Sequence, residues 1–234
     1  VGGTGPWKIT DLDVKSGATY VRNDAWWGGK TPLDGVEFIF IEDSAAQVAA
    51  VLAALRNAGA QTDGDASMNE PQCDIGLVGL AVMGENLALN MESRGFRVCV
   101  HNRTHARVTE FLSERGRGKR FVGALTLQDL VRSLKSPRKI LLLIKAGEPV
   151  DEMLAELTPL LSPGDIVIDG GNSHFVDTIR RTHAMEAKGF LYVGSGVSGG
   201  EEGALRGPSL MPGGSAAAWP HLRPIFEAIA ARTP

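Results

Sequence analysis

The chain has 234 residues, which is enough for one α/β domain with a hydrophobic core and a small additional unit. Hydrophobic residues make up 43% and charged residues 22%, as in ordinary soluble globular proteins, and the net charge of −3 without a long basic stripe argues against a nucleic-acid partner. No apolar run is long enough to span a membrane, and the two cysteines, Cys73 and Cys99, are interpreted as core residues of a protein in a reducing, cytoplasmic compartment.

The first 67 residues differ from the rest of the chain. The run Val36–Ile41 predicts a strand, and Ser44 is placed to cap a helix over 45–57. The stretch 61–67 is typical of a linker, and the many acidic residues upstream argue against a signal or transit peptide. We interpret this segment as a small α/β appendage, and we assign it neither a family nor a chemistry.

From Cys73 onward, apolar strand-like runs alternate with amphipathic helical stretches. This alternation predicts a Rossmann-like, doubly wound and mostly parallel sheet with helices on both faces, over residues 68–234. The predicted strands are Asp74–Val78, Phe96–Val100, a short run at Arg120–Val122, Lys139–Lys145, Asp165–Asp169 and Phe190–Val193. The predicted helices lie near Gly84–Ser93, His105–Glu114, Leu127–Leu134, Pro149–Leu161 and Phe175–Ala187.

The first predicted strand of this region runs into a glycine-rich turn, and a helix follows at once. The turn has the dinucleotide-binding fingerprint with Ala81 in the second glycine position. Gly79 permits the tight turn, Ala81 lets a pyrophosphate approach the backbone, and Gly84 lets the helix pack closely on the strand. The helix N-terminus offers N–H donors to the phosphates, so a turn without a ligand is the less favoured interpretation. The predicted cofactor residues of this turn are Gly79, Leu80, Ala81, Val82, Met83 and Gly84.

The residues after the second predicted strand indicate which dinucleotide is bound. NAD-binding domains carry Asp or Glu there to bind the ribose hydroxyls, whereas this chain has Asn102, Arg103 and Thr104. A carboxylate would repel a 2′-phosphate, but the planar guanidinium of Arg103 pairs with one and stacks on adenine. Asn102 and Thr104 add hydrogen bonds and Arg107 adds charge. The pattern favours NADP, and the alternative is a solvated arginine beside the next helix.

Further glycine-rich motifs follow, which we place at or beyond the ends of predicted strands, where open α/β sheets bind ligands. They are Ile144–Gly147, Asp169–Ser173, Gly194–Gly203 and Gly207–Gly214. Together with Gly79–Gly84 and Asn102–Thr104, in this order and spacing, they resemble 6-phosphogluconate dehydrogenase. The resemblance covers about 72–232, and the broader β-hydroxyacid dehydrogenases share only part of the set.

The resemblance implies NADP-dependent oxidative decarboxylation of 6-phosphogluconate to ribulose 5-phosphate and carbon dioxide, a reaction of the pentose phosphate pathway. It implies that Ile144, Lys145 and Ala146 line the NADP site. It also implies that Asn172 lies between nicotinamide and substrate, and that Ser198, Gly199 and Gly200 hold the substrate near its carboxylate. The residue types fit, because an asparagine amide donates and accepts, and a Ser-Gly-Gly backbone offers N–H groups to an oxyanion.

The family also uses a lysine general base and a glutamate general acid, on a helix after this domain, and then a helical domain that completes the substrate site and the homodimer. No residue of this chain matches the lysine or the glutamate, so we assign no catalytic residue, and we expect no metal. We expect a cofactor half with very poor turnover, in which the homodimer is doubtful. The alternatives are a non-catalytic NADP-binding module and another β-hydroxyacid dehydrogenase.

The last helix of the chain carries several large apolar residues. We predict an exposed apolar patch near this helix, unless the helix packs on its own sheet. The residues concerned are Trp219, Leu222, Ile225, Phe226 and Ile229.

Overall fold

A computed structural model describes residues 7–13, 17–22, 35–39 and 73–232 of the chain. The chain divides into two compact units, Val1–Met68 and Asn69–Pro234. In the first unit, β1 (Trp7–Asp13), β2 (Gly17–Arg22) and β3 (Gly35–Ile39) form an antiparallel sheet in that order. The predicted strand at 36–41 overlaps β3, whereas β1 and β2 were not predicted. The predicted helix over 45–57 lies outside the described residues.

The second unit is built on a seven-stranded sheet. Its strands are β4 (Ile75–Val78), β5 (Val98–His101), β6 (Phe121–Ala124), β7 (Lys139–Leu142), β8 (Ile166–Asp169), β9 (Leu191–Ser198) and β10 (Ser209–Gly214). Their order is β10-β9-β8-β7-β4-β5-β6, and every neighbouring pair is parallel except the antiparallel pair of β9 and β10. This arrangement confirms the predicted doubly wound fold.

Seven α-helices cover the sheet in the described part of this unit. They are α1 (Val82–Ser93), α2 (His105–Ser113), α3 (Leu127–Ser133), α4 (Glu148–Leu157), α5 (Phe175–Glu186), α6 (Gly200–Arg206) and α7 (Trp219–Ile229). Local sequence explains several helix starts: Thr126 Oγ1 accepts the Asp129 N–H at 3.1 Å before α3, and Pro149 lies in the first turn of α4, where its missing N–H costs nothing.

The hydrophobic core lies on both faces of the sheet. Successive side chains of a strand point to opposite faces, so β4 contributes to both layers. Leu77 packs in one core with Leu87 of α1 and Leu222 of α7, and Val78 packs in the other with Leu154 of α4. Because helices cover both faces, the central strands are buried along their length and are apolar without alternation.

Cys73 and Cys99 are free and buried, as predicted for core residues. No described helix is both long enough and apolar enough to cross a bilayer. Within the same residues, no group of three or more histidine, cysteine or acidic side chains is placed to hold a metal ion.

Two predicted strand ends are wrong. The strand predicted to end at Lys145 ends at Leu142, which leaves Ile144–Gly147 in the loop. The strand predicted to end at Val193 continues to Ser198, because β10 pairs with it from Ser209↔Ser198 to Gly214↔Val193. The first half of the Gly194–Gly203 motif is therefore strand and does not lie beyond a strand end.

The prediction of an apolar patch on the last helix is also wrong for four of its five residues. Leu222, Ile225, Phe226 and Ile229 of α7 are buried, and Trp219 alone of the five is exposed, at 40%. The helix packs on its own sheet and on α1, where the Asn90 amide donates to the Ile229 carbonyl at 3.1 Å. Large exposed apolar side chains lie instead on α5 and β10: Phe175, Val176, Ile179 and Met211.

The packing of α7 predicts unequal effects for two neighbouring substitutions. Leu222→Ala should lower the free energy of unfolding by about 2–5 kcal/mol, because it opens a cavity in a fully buried site. Arg223→Ala removes only an exposed pair with Glu227 and should change stability by less than about 0.5 kcal/mol. Urea denaturation of both variants measures the difference, and equal stabilities would show that α7 does not pack on the sheet.

Candidate cofactor and substrate site

The strand order reverses between β4 and β7, and this switch point places four predicted motifs at one edge of the sheet. In open α/β sheets the crevice outside the carboxyl ends of the strands at such a point is the ligand site. Gly79–Gly84 follows β4, Asn102–Thr104 follows β5, Ile144–Ala146 follows β7, and Asn172 follows β8. The order β8-β7-β4-β5 makes these four loops neighbours.

The turn after β4 depends on the absence of two side chains. Gly79 has φ of +105°, and a Cβ there would overlap the Leu143 carbonyl at the end of β7. A Cβ on Gly84 would overlap the Gly79 carbonyl. The predicted roles of Gly79 in the tight turn and of Gly84 in close helix packing are therefore both seen in the structure.

Asn102 joins the turn after β4 to the turn after β5. Its Oδ1 accepts the Leu80 N–H at 2.9 Å, and its Nδ2 donates to the Thr104 carbonyl at 3.2 Å. The Leu80 side chain is 1% exposed and packs in the core. Asn102 and Leu80 thus hold the shape of the two loops, and their direct contact with the cofactor stays a prediction.

The start of α1 suits an anion. No side chain caps this helix end in the described structure, and the N–H groups of a first turn have no partner within a helix. The acidic residue of the first turn, Glu85, is neutralised by Arg115 at 2.8 Å. A cavity of about 350 Å³ adjoins this turn. Its lining residues are Leu80, Ala81, Val82, Glu85, Arg107, Glu110, Phe111, Glu114 and Arg115.

Arg103 projects into solvent beside a second cavity of about 370 Å³. Its side chain is 73% exposed and pairs with Glu152 of α4 at 3.3 Å. An ion pair this exposed contributes about 0–1 kcal/mol to stability, so the pairing with Glu152 does not prevent the guanidinium from binding a phosphate instead. The cavity lining consists of His101, Arg103, His105, Leu125, Thr126, Leu127, Gln128, Glu156 and Leu160.

The loops after β7 and β8 touch each other. A Cβ on Gly171 would overlap the Ile144 carbonyl, and the Gly170 N–H donates to the Leu142 carbonyl at 2.9 Å. Asn172 then adopts φ of +60°, a left-handed conformation that asparagine tolerates better than most residues. The side chains of Asn172 and Lys145 are both exposed at this edge.

A buried polar network behind these two loops was missed by sequence reasoning. Arg181 of α5 is 1% exposed, and its guanidinium binds Asp151 of α4 through Nε at 3.0 Å and Nη2 at 2.9 Å. Its other bonds go to the Gly147 carbonyl at 2.9 Å, to Ser173 Oγ at 3.2 Å and to Asp169 Oδ2 at 3.5 Å. The spacing contained a signal, because Arg181 lies four residues before buried Met185 and so shares the inner face of α5.

Contacts within the network shift the pKa values of Asp151 and Tyr192. Hydrogen bonds from Arg181 lower the pKa of Asp151 from 3.8 to about 2. Burial, and then the neighbouring Asp169 carboxylate, raise the pKa of Tyr192, whose hydroxyl donates to Asp169 Oδ2 at 2.9 Å. The tyrosine is therefore neutral at physiological pH and acts as a hydrogen-bond donor.

The predicted substrate residues Ser198–Gly200 lie at the end of β9 and the start of α6 and are exposed. Gly194 pairs with Asp169 at the end of β8, so Ser198 lies about 13 Å further along the extended β9. A cavity of about 700 Å³ lies between α5 and the hairpin of β9 and β10. Its lining includes Asn172 but not Ser198, so the structure does not place the two parts of the predicted substrate set in one pocket.

This sheet edge, with its glycine-dependent turn, its open helix N-terminus and its arginine after the second strand, defines a dinucleotide-binding domain. Residues 74–233 match the family described as the NAD binding domain of 6-phosphogluconate dehydrogenase, and the chain belongs to that family.

Individual relatives agree with this assignment. The chain is 60% identical over 165 residues to the decarboxylating 6-phosphogluconate dehydrogenase of Dictyostelium discoideum, a match that covers 70% of this chain and 34% of that protein. It is 62% identical over 159 residues to the Treponema pallidum enzyme, covering 68% of this chain and 33% of that protein. A Plasmodium falciparum 6-phosphogluconate dehydrogenase, described in apo form and in complexes with its cofactor NADP+ and its substrate 6-phosphogluconate, superposes with a TM-score of 0.66 at 44% identity. That superposition covers 69% of this chain and 35% of the Plasmodium chain, so the chain spans about a third of the length of its relatives.

The first unit matches something different. Residues 1–55 match the family described as bacterial extracellular solute-binding proteins, family 5 Middle. Sequence reasoning assigned no family to this segment, because a short strand and a predicted helix without a chemical motif do not distinguish one small α/β unit from another.

The charge network predicts a pH dependence of stability. Because the pKa of Asp151 is lower in the folded chain than its ordinary 3.8, its ionised form stabilises the fold above about pH 4, and this stabilisation is lost as pH falls towards 2. Its carboxylate is 38% exposed, which screens the interaction to a contribution on the order of 1 kcal/mol. Urea denaturation between pH 5 and pH 2 should therefore show a shallower loss of stability for Asp151→Asn than for wild type.

The matched control is Asp177→Asn, which removes a surface carboxylate that contacts Arg180 at 3.4 Å. This variant should keep the wild-type pH profile. An Asp151→Asn profile parallel to wild type would show that the Arg181 contact does not lower the pKa of Asp151.

Proposed function

We propose that residues 73–232 bind NADP at the carboxyl edge of the sheet and form the cofactor half of a decarboxylating 6-phosphogluconate dehydrogenase. The observation that carries this proposal is Arg103, an exposed cation after β5, where NAD-binding domains place an acid. The proposal is supported by the names of the relatives and by the NADP+ complex described for the Plasmodium enzyme.

The geometry of this edge fits the cofactor. The backbone from Ala81 to Gly84 would hold the pyrophosphate, in a turn whose shape requires glycine at Gly79 and Gly84. Arg103 would bind the 2′-phosphate, with Thr104 beside it, while Leu80 and Asn102 keep the loops in place. Ile144, Lys145, Ala146 and Asn172 would line the nicotinamide end. When bound, NADP supplies the hydride acceptor.

For the substrate, we propose that Asn172 and Ser198–Gly200 contact 6-phosphogluconate, which is oxidised and decarboxylated to ribulose 5-phosphate in the complete site. All four residues are exposed, so this chain contacts the substrate from one side only. We assign none of its residues as the base or the acid of the reaction. A cytoplasmic location fits the two free thiols.

The assignment of Arg103 predicts a selective loss of affinity. Arg103→Ala should weaken NADPH binding about 10- to 100-fold, the value of a charged hydrogen bond, and should leave NADH binding nearly unchanged. The loss is increased because Glu152, which pairs with Arg103, is left to repel the 2′-phosphate. Fluorescence titrations with both reduced cofactors measure the effect.

Arg223→Ala is the matched control, because Arg223 is also an exposed arginine paired with a glutamate, but on α7. It should bind both cofactors as wild type does. An Arg103→Ala variant that keeps its preference for NADPH would exclude Arg103 as the 2′-phosphate ligand.

The cofactor-half proposal also predicts the activity of the chain by itself. Without a positioned base and acid, reduction of NADP by 6-phosphogluconate should be slower than in a complete enzyme by several powers of ten, on the order of the combined effect of two proton-transfer groups. Absorbance at the NADPH band measures this rate. The complete Dictyostelium discoideum 6-phosphogluconate dehydrogenase is the positive control. Turnover by the chain at the rate of the complete enzyme would contradict the proposal.

A further inference from the structure

Arg181 carries a permanent charge into the interior of the domain. Its side chain is 1% exposed, and that of its partner Asp169 is fully buried. Removing a charge from water is costly, and buried ion pairs often stabilise a fold no better than apolar residues of the same volume. The network therefore calls for an explanation other than stability.

The contacts of Arg181 converge on two ligand loops. Nη2 donates to the Gly147 carbonyl at the end of the loop after β7, and Nη1 donates to Ser173 Oγ in the loop after β8. Asp169, a third partner, also accepts the Gly171 N–H at 3.0 Å, one residue before Asn172. Nε and Nη2 together bind Asp151 of α4, the helix that begins directly after Gly147. One rigid guanidinium thus sets the positions of both loops relative to α4 and α5.

These contacts lie at one end of the proposed cofactor site only. The loop that carries Arg103 follows β5, which is three strands from β8, or about 14 Å across the sheet. Among the bonds of Arg181 in the described residues, none reaches the loops after β4 or β5. The direct bonds of Arg181 therefore act on the nicotinamide end, whereas its connection to Arg103 is indirect, through α4 and the weak, exposed pair of Arg103 with Glu152.

We propose that Arg181 is a positioning residue, which holds the loops Ile144–Gly147 and Gly170–Ser173 in the arrangement that receives the nicotinamide half of the dinucleotide. The inference rests on the proposed function. It deepens that proposal by separating the site into an adenosine half set by Arg103 and Asn102, and a nicotinamide half set by Arg181. Lysine cannot replace Arg181, because one ammonium group cannot bind Asp151, Gly147 and Ser173 in the geometry of a planar fork.

The test compares two ligands of Arg181→Lys by calorimetric titration: NADPH, and adenosine 2′,5′-bisphosphate, which contains only the adenosine end. NADPH affinity should fall about tenfold, and affinity for the bisphosphate should change by less than about twofold. A residue with a merely structural role would affect both ligands alike. Arg180→Lys is the matched control, because Arg180 is 55% exposed and also contacts Asp151, and it should leave both affinities unchanged.

Tyr192→Phe provides a second variant if Arg181→Lys does not fold. It keeps the buried ring and removes one hydrogen bond to Asp169, so it should weaken NADPH binding by about two- to threefold and leave bisphosphate binding unchanged. Equal losses for the two ligands, or no loss in either variant, would overturn the inference while leaving NADP binding intact. A wild-type chain that binds neither ligand would overturn the proposed function and the inference with it.

Discussion

The loops at the carboxyl edge of the sheet meet backbone to backbone, and the site depends on that closeness. Gly79 lies against the Leu143 carbonyl, Gly84 against the Gly79 carbonyl, and Gly171 against the Ile144 carbonyl. A single Cβ at any of these positions would push apart two elements that border the switch point. Because these three residues are glycines and have no Cβ, the loops after β4, β7 and β8 form one continuous wall, and the crevice beyond it is open to a ligand.

Charge is then distributed so that this wall is both firm and receptive to an anion. The chain has a net charge of −3, so local groups and not an overall field must attract a phosphate. Arg115 neutralises Glu85 at the start of α1, and Arg103 stands exposed after β5. The buried charges of Arg181 and Asp169 serve another purpose, because they hold backbone loops in place and do not face the solvent.

The sequence predicted the features that depend on residues close together in the chain. The tight turn at Gly79–Gly84 and the alternation of strands and helices from Ile75 to Glu186 follow from short-range patterns, and the structure has both, whereas β10 and α6 were not predicted. The length of β9 was missed because its second half is Gly-Ser-Gly-Val-Ser, a poor strand sequence that becomes a strand only by pairing with β10. The burial of α7 and the inward position of Arg181 depend on what packs against a helix, and an isolated helix sequence does not contain that information. The pairing of Asn102 with Leu80, 22 residues away, was not predicted because it is visible only in three dimensions.

Calorimetric titration of the wild-type chain with NADP and with NAD is the most direct measurement of what this edge recognises. An arginine that pairs with the 2′-phosphate should make NADP bind at least about tenfold more tightly than NAD. The ratio should shrink as salt is raised, because the contact is exposed. Equal affinities for the two cofactors at low salt would contradict the assignment of this domain to NADP.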